Sequence, residues 1–417
     1  MLKIAFRSLA SRWRTATLVA ITIAMSVALV LSVERLRHDA RTSFVQTISG
    51  TDLVVGARSG AIQLLLYSVF HIGNATNNIS IESVEDIGNI ADVDWLIPLS
   101  LGDSYRGYRV IGTSRAFFEH YRYGKERGIE VATGKPFDDV FDAVLGSEVA
   151  SALGHAVGDP MIVVHGTGSA AVMTHENQPF QVAGILAPTG TPIDRAVLVS
   201  LEGIEAVHVD WQRGAPIAGQ VTSMDEIRTM PLEPEAVTAL LVGLKSRVAV
   251  FRVQRRINEY REEPLLAVLP GATLQELWQL TGVAENALRL IVLAVLFAGL
   301  VSLVAVLLAG LNERRREIAV LRASGARPGD IFRLLTLESS LLTALGITLG
   351  MTLHVVVMLV LGQILRTRYG IVVETGLPEI RELAILGAIL GAGTLAGLVP
   401  AWRAYRNALS DGLSQPF

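Results

Sequence analysis

The chain has 417 residues, 51% of them hydrophobic, and a mean hydropathy of +0.45. Soluble globular domains rarely average so high, so membrane spans are expected. A net charge of −3 argues against nucleic acid as a bulk partner, and the absence of cysteine excludes disulfides, thiolate metal sites and cysteine nucleophiles. In chain order, residues 1–14 read as an interfacial helix. Leu2, Phe6, Leu9 and Trp13 share one face, and Lys3, Arg7, Arg12 and Arg14 occupy the others. Residues 15–33 are free of charge and long enough to cross a bilayer as a first span. The following SVERLRHDAR lacks a small-residue cleavage site, so this run reads as an uncleaved anchor.

Residues 34–289 carry a mixed α/β pattern with helical stalks, the pattern turning helical from Gln254 onward. Strands are expected at Asp52 to Ala57, Ala143 to Gly146, Met161 to His165, Phe180 to Leu186 and Ala196 to Ser200, with a short helix in SEVASALGH. Ala61 to Phe70 is apolar but too short to span. Glu233 to Leu241 reads as a helix with Pro234 in its first turn, and Arg247 to Ala249 with Phe251 to Val253 as a further strand. Thr273 to Ala287 has no strong breaker after Gly282 and should continue as one rod into the second span, 290–311. Residues 312–335 form a basic segment, 336–364 a third span, 365–382 a short loop, 383–400 a fourth span and 401–417 a tail.

Charge orients this layout. Lys3, Arg7, Arg12 and Arg14 precede the first span; Arg314, Arg315, Arg316, Arg322, Arg327 and Arg333 lie between the second and third; Arg403 and Arg406 follow the fourth. Positive flanks stay cytoplasmic, which places both termini and residues 312–335 inside and the α/β segment outside.

Several chemistry-bearing patterns do not rise to sites. GIEVATGKP, Gly128 to Pro136, resembles a phosphate loop but has five residues between its glycines, and Pro136 replaces the magnesium-holding hydroxyl. Seven of the eight histidines lie in the external segment, with His165 and His175 the tempting pair. No metal-binding spacing links them, and they read as separate surface or packing residues. Asp138, Asp139 and Asp142 read as a solvated turn, and no catalytic triad is evident. Within the spans, Glu338 and His354 are costly to place in lipid. Glu338 near a helix end is placed to pair with Arg333 or Arg322. His354 reads as a neutral side chain hydrogen-bonded between helices, with a proton relay as the alternative. Gly346/Gly350, Gly387/Gly391 and Gly393/Gly397 give small-xxx-small spacings that favour close helix pairing, within the chain or across a dimer. In residues 312–335, Pro328 and Gly329 interrupt the helical pattern and Asp330 can cap a new helix, so a short exposed helix is expected at about 330–335, anchored to anionic headgroups by its arginines.

The run from Arg316-Glu317-Ile318 through Arg322, Ser324-Gly325, Arg327-Pro328, Asp330-Ile331 and Arg333, followed by Glu338 and Gly346 with Gly350, resembles permeases of the MacB/FtsX/LolC type, the type VII mechanotransmission family. The N-terminal AFRSLASRWRTATL, the external LGSEVASALGHAVGDPMIVV and the terminal Pro400-Ala401-Trp402-Arg403-Ala404 are similar to further family segments, although Trp402 departs from the usual tail. The resemblance implies four transmembrane helices with a large mixed α/β periplasmic domain inserted between the first and second, in a bacterial inner membrane. It implies a non-catalytic permease subunit, working as a dimer with a cytoplasmic ABC ATPase dimer. ATP and magnesium would be bound by that ATPase, with no cofactor in this chain. Residues 312–335 would be the coupling elbow. A periplasmic adaptor or substrate-binding protein and membrane lipids are the other implied partners, with efflux, lipoprotein release or envelope work as outputs. A membrane-anchored sensor or scaffold without an ATPase is the alternative.

Overall fold

The computed structural model describes residues 2–166, 173–175, 177–212, 215–217, 221–313, 315–369 and 378–410. Arg314, residues 370–377 of the loop expected at 365–382 and residues 411–417 of the tail lie outside them. The chain divides into two compact units. One comprises Ala40–Thr281; the other comprises residues 2–39, 282–364 and 378–410.

The first unit is built on a twelve-stranded mixed sheet. Its main path runs Leu265–Val268, Leu53–Ala57, Ala239–Leu244, Val93–Tyr105, Tyr108–Thr113, Ala196–Ser200, Asp142–Leu145, Phe180–Leu186, Val131–Gly134. Ala196–Ser200 pairs parallel with Tyr108–Thr113, as Phe180–Leu186 does with Asp142–Leu145; the other pairs are antiparallel. Both faces of the central strands are covered. Val54 and Leu241 enter one core with Leu64, Tyr67 and Phe117, while Leu53, Val55, Leu240 and Val242 enter another with Ile87, Val253 and Ile257. A strand buried on both faces is apolar throughout, with no alternation to betray it.

That burial corrects two expectations. Glu233 to Leu241 is not a helix; the region forms strands Ala236–Val237 and Ala239–Leu244. An unbroken apolar run is ambiguous between a buried helix and a buried strand. Conversely, Arg247 to Val253 is not a strand. A single 3-10 turn, Arg247–Ala249, leads into helix Val250–Asn258, which buries Val253 and Ile257 four residues apart and turns Arg252, Arg255 and Arg256 outward. The expected strand at Met161 to His165 is two short pieces, Pro160–Met161 and Val164–His165. The phosphate-loop decoy is an edge strand. Gly134 takes φ +83°, and a Cβ there would stand 2.1 Å from the Ala183 carbonyl, so close sheet packing accounts for this glycine.

The second unit is helical. Among the described residues, four helices are long and apolar enough to cross a membrane: Trp13–Gln46, Pro270–Glu313, Pro328–Tyr369 and Ile380–Ser410. All of them outrun the spans expected within them, because charge ends a membrane span without ending a helix. At about 1.5 Å per residue, the 44 residues of Pro270–Glu313 reach roughly 65 Å, twice a bilayer core. The first span is the most enclosed, with 44% of its apolar window buried against 17–28% for the others. Leu2–Ser11 precedes it, leaving Phe6 and Trp13 exposed, while Ala5 is buried and Leu9 packs inward. In the α/β unit, the far ends of the first two long helices join one core. Phe44 lies 4.5 Å from Phe70 and 5.5 Å from Trp278, and Leu274 is buried.

Candidate functional site

The basic segment folds as an elbow. Helix Arg315–Ala323 ends in a Schellman motif: the Ala326 amide donates to the Leu321 carbonyl, the Gly325 amide donates to Arg322, and Gly325 takes φ +99°. Two residues later the next helix begins. Arg327 is its N-cap, Pro328 fills the first helical position, and the Asp330 carboxylate accepts from the Arg327 amide at 2.9 Å. Gly325, Ala326, Arg327, Pro328 and Asp330 thus each have a local reason to turn the chain.

The separate short helix expected at 330–335 does not form. Those residues are the first turns of Pro328–Tyr369, because proline at the first position starts a helix and does not interrupt the one it starts. Ile331 and Leu335 are buried with Ala401 and Ala404 of the last helix, and Leu311, Ile318 and Phe332 pack against them. Ile331 therefore holds the elbow to the membrane unit. The outward face presents Glu317, Ala319, Val320, Ala323, Ser324, Arg327 and Arg333, with Val320 65% exposed. Arg322 is half-buried, and the Arg316 side chain lies outside what is described. Sequence reading missed Val320, whose only signal was an apolar residue out of phase with Ile318 and Leu321.

The glycine pairs separate by role. A methyl at Gly346 would stand 2.6 Å from Ile23 Cβ, and one at Gly350 2.7 Å from Val27 Cβ, so the third span lies directly on the first. Gly393 and Gly397 admit Thr343 and Ser339 of the third span, where Ser339 Oγ donates to the Gly393 carbonyl at 2.7 Å. Gly387 and Gly391 meet nothing within 4 Å among the described residues. Glu338 is buried, and His354 shares a 3.0 Å hydrogen bond with Ser32 of the first helix.

Above the spans, a buried ion network links the first and last helices. Arg35 reaches Glu382 at 3.2 Å and Asp39 at 3.5 Å, with all three side chains under 9% exposed, and Glu379 lies 3.7 Å away. Glu382 also caps its own helix, accepting from the Glu379 amide at 3.0 Å. No sequence spacing links residues so far apart.

In the α/β unit the histidines do not scatter. Asp103, His165, His175 and His208 converge, their ligand-capable atoms all within 4.8 Å of one another, with the Trp211 ring alongside. Val164–His165 pairs with Val93–Tyr105 so that His165 faces Asp103, and His208 ends helix Leu201–His208. The hydrogen bond that His165 donates to the Asp103 carboxylate raises its pKa. Burial first, then His208, lowers that of His175 to about 4. The Asp138–Asp142 cluster, by contrast, is a hydrogen-bonded turn: Asp142 accepts from the Asp138 and Asp139 amides, and Arg228 pairs with Asp139.

Two family models match successive parts of the chain. Residues 16–260 match the family described as MacB-like periplasmic core domain, and residues 289–409 match FtsX-like permease C-terminal. A macrolide export ATP-binding/permease protein MacB of Nitrobacter winogradskyi is 23% identical over 412 residues, covering 92% of this chain and 55% of the relative. A protein of the same name from Azoarcus sp. is 25% identical over 358 residues, covering 83% and 50%. The chain spans about half the length of the curated relatives it matches. Among solved structures, the periplasmic region of MacB from Actinobacillus actinomycetemcomitans aligns at 11% identity and a TM-score of 0.34, over 56% of this chain and 95% of that one.

Proposed function

This chain belongs to the family that joins a MacB-like periplasmic core domain to an FtsX-like permease region, and on that premise we propose that it is the membrane subunit of an ABC transporter, driven by a P-loop ATPase on a partner chain. The observation that carries the reading is the elbow. Its inner face is packed on the last helix, and its outer face offers a charged surface with one apolar contact, Val320. A partner pressing on helix Arg315–Ala323 meets a corner fixed by backbone hydrogen bonds, so displacement passes into the third helix rather than into loop slack. That helix seats Gly346 and Gly350 on the first span. The first and second long helices are unbroken from membrane-spanning stretches to residues in the core of the α/β unit, and so offer a stiff route for the motion.

In this reading the ATPase dimer binds ATP and magnesium, and this chain performs no catalysis and holds no nucleotide. The arginine-rich flanks favour a cytoplasmic elbow and cytoplasmic termini, with the α/β unit in the periplasm. A second copy of the chain completes the transporter, and the open Gly387/Gly391 face suits such helix pairing. Anionic lipid headgroups hold the elbow arginines. The α/β unit delivers the stroke to an adaptor or substrate-binding protein, for efflux, lipoprotein release or another envelope task.

The test is co-purification with the ATPase, followed by ATPase assays in lipid nanodiscs. Val320→Asp with Arg327→Glu should abolish both association and stimulated hydrolysis while leaving the permease folded. Undiminished association and stimulation would refute the docking role. Ile331→Asp is the contrasting variant, expected to unfold the elbow itself.

A further inference from the structure

The histidine cluster of the α/β unit has no part in the transport reading, and its hydrogen bonding does not close. The His208 Nδ1 lies 2.7 Å from the Ile204 carbonyl, which can only accept. His208 Nδ1 therefore carries the proton, and a neutral ring leaves its Nε2 as a lone pair. That lone pair points at His165 Nδ1 from 3.1 Å, and the Asp103 carboxylate approaches the same nitrogen at 3.0 Å. One nitrogen with at most one proton thus faces two acceptors. His175 is only 2% exposed, and among the described residues neither of its ring nitrogens has a hydrogen-bond partner of good geometry. Leaving such groups unsatisfied in a buried site destabilises the fold. Three imidazoles against an indole and a carboxylate are a poor apolar core and a poor hydrogen-bond network. They are a good first shell for a cation.

We propose that Asp103, His165, His175 and His208 bind one divalent transition-metal ion, zinc foremost, through three imidazole nitrogens and one carboxylate oxygen. The donor set suits zinc: imidazole and carboxylate are its common ligands, and a tetrahedral ion with bonds of about 2.0–2.1 Å spaces neighbouring ligand atoms roughly 3.3 Å apart. The 3.0 and 3.1 Å contacts already present are within a small adjustment of that spacing. The Ile204 carbonyl on the far nitrogen of His208 is the orienting contact that metal-bound imidazoles usually have. His165, whose side chain is 41% exposed, leaves a way in from solvent. Four protein ligands close the coordination sphere, so the ion is held as a clamp and not as a catalyst. The clamp ties strand Val93–Tyr105, strand Val164–His165, the residue after Met173–Thr174 and the end of helix Leu201–His208 to one point.

The full chain, purified in detergent without metal and loaded with zinc alone, should retain one zinc per chain through gel filtration and unfold at a higher temperature. Cobalt in place of zinc should give the intense visible bands of a tetrahedral site. Asp103→Asn, His165→Gln and the double variant His175→Ala/His208→Ala should each lose at least about tenfold in zinc affinity and the zinc-dependent rise in unfolding temperature. His120→Gln, remote from the cluster, should lose neither. Retention well below one zinc per chain by the unaltered protein would overturn the proposal, as would undiminished affinity in the double variant. If the buried double variant does not fold, the partly exposed His165→Gln decides alone, since its loss leaves the core in place.

Discussion

At the scale of single residues, the elbow is held by backbone geometry that one methyl group can test. Gly325 sits at φ +99°, where an L side chain costs about 1–2 kcal/mol. Gly325→Ala should weaken ATPase stimulation severalfold with little loss of thermal stability elsewhere, and Gly325→Asn, which tolerates the left-handed region, should recover part of it. Equal activity in all three proteins would show that the corner need not be fixed. Pro328 and Asp330 were legible in the sequence because helix caps are local, whereas Gly325 entered only through the family resemblance. Arg35 was not, because its partners Glu382 and Glu379 lie more than 340 residues away in the chain. Removing one member of a buried ion network leaves the others uncompensated, at about 3–5 kcal/mol. Arg35→Met should therefore lower the unfolding temperature sharply, and adding Glu382→Leu should restore much of it. A double variant no more stable than Arg35→Met alone would mean that the pair is not coupled.

At the scale of elements, the long helices announce themselves through apolar length, but their ends do not. Nothing in VERLRHDARTSFVQ breaks a helix, so polarity marks the membrane boundary and leaves the helix to run on. The strand Ala239–Leu244 was illegible for a different reason: burial on both faces erases the period that separates strand from helix. The histidine cluster escaped because its members come from separate elements that only the sheet register brings together. The glycine spacings were legible as packing motifs, but which surface each one faces was not. Packing now distinguishes them. Gly346→Leu must collide with Ile23 and should prevent stable folding of the helical unit. Gly387→Leu meets open space within the chain, and should leave the monomer's thermal stability unchanged while reducing chemical crosslinking between copies. Crosslinking unaffected by Gly387→Leu would move the dimer contact to another face.

At the scale of the whole molecule, the transport reading depends on which side of the membrane each unit occupies, and that depends on charge. The elbow contributes Arg315, Arg316, Arg322, Arg327 and Arg333 between two spans, and the residues before the first span contribute Lys3, Arg7, Arg12 and Arg14. Retaining such clusters on the cytoplasmic side satisfies all four spans at once. An even number of spans then returns both termini to one side and leaves the long insertion on the other. A docking face for an ATPase is useful only where ATP is, so the elbow and the α/β unit must label oppositely. The chain's lack of cysteine makes the measurement clean, since any introduced thiol is unique. Ser324→Cys lies exposed on the elbow, and Lys125→Cys lies exposed on the α/β unit. In intact spheroplasts, a membrane-impermeant maleimide should modify Lys125→Cys at once and Ser324→Cys only after permeabilisation. The reverse pattern would put the α/β unit beside the nucleotide and the elbow beyond its reach. Labelling of both before permeabilisation would break the four-span count itself.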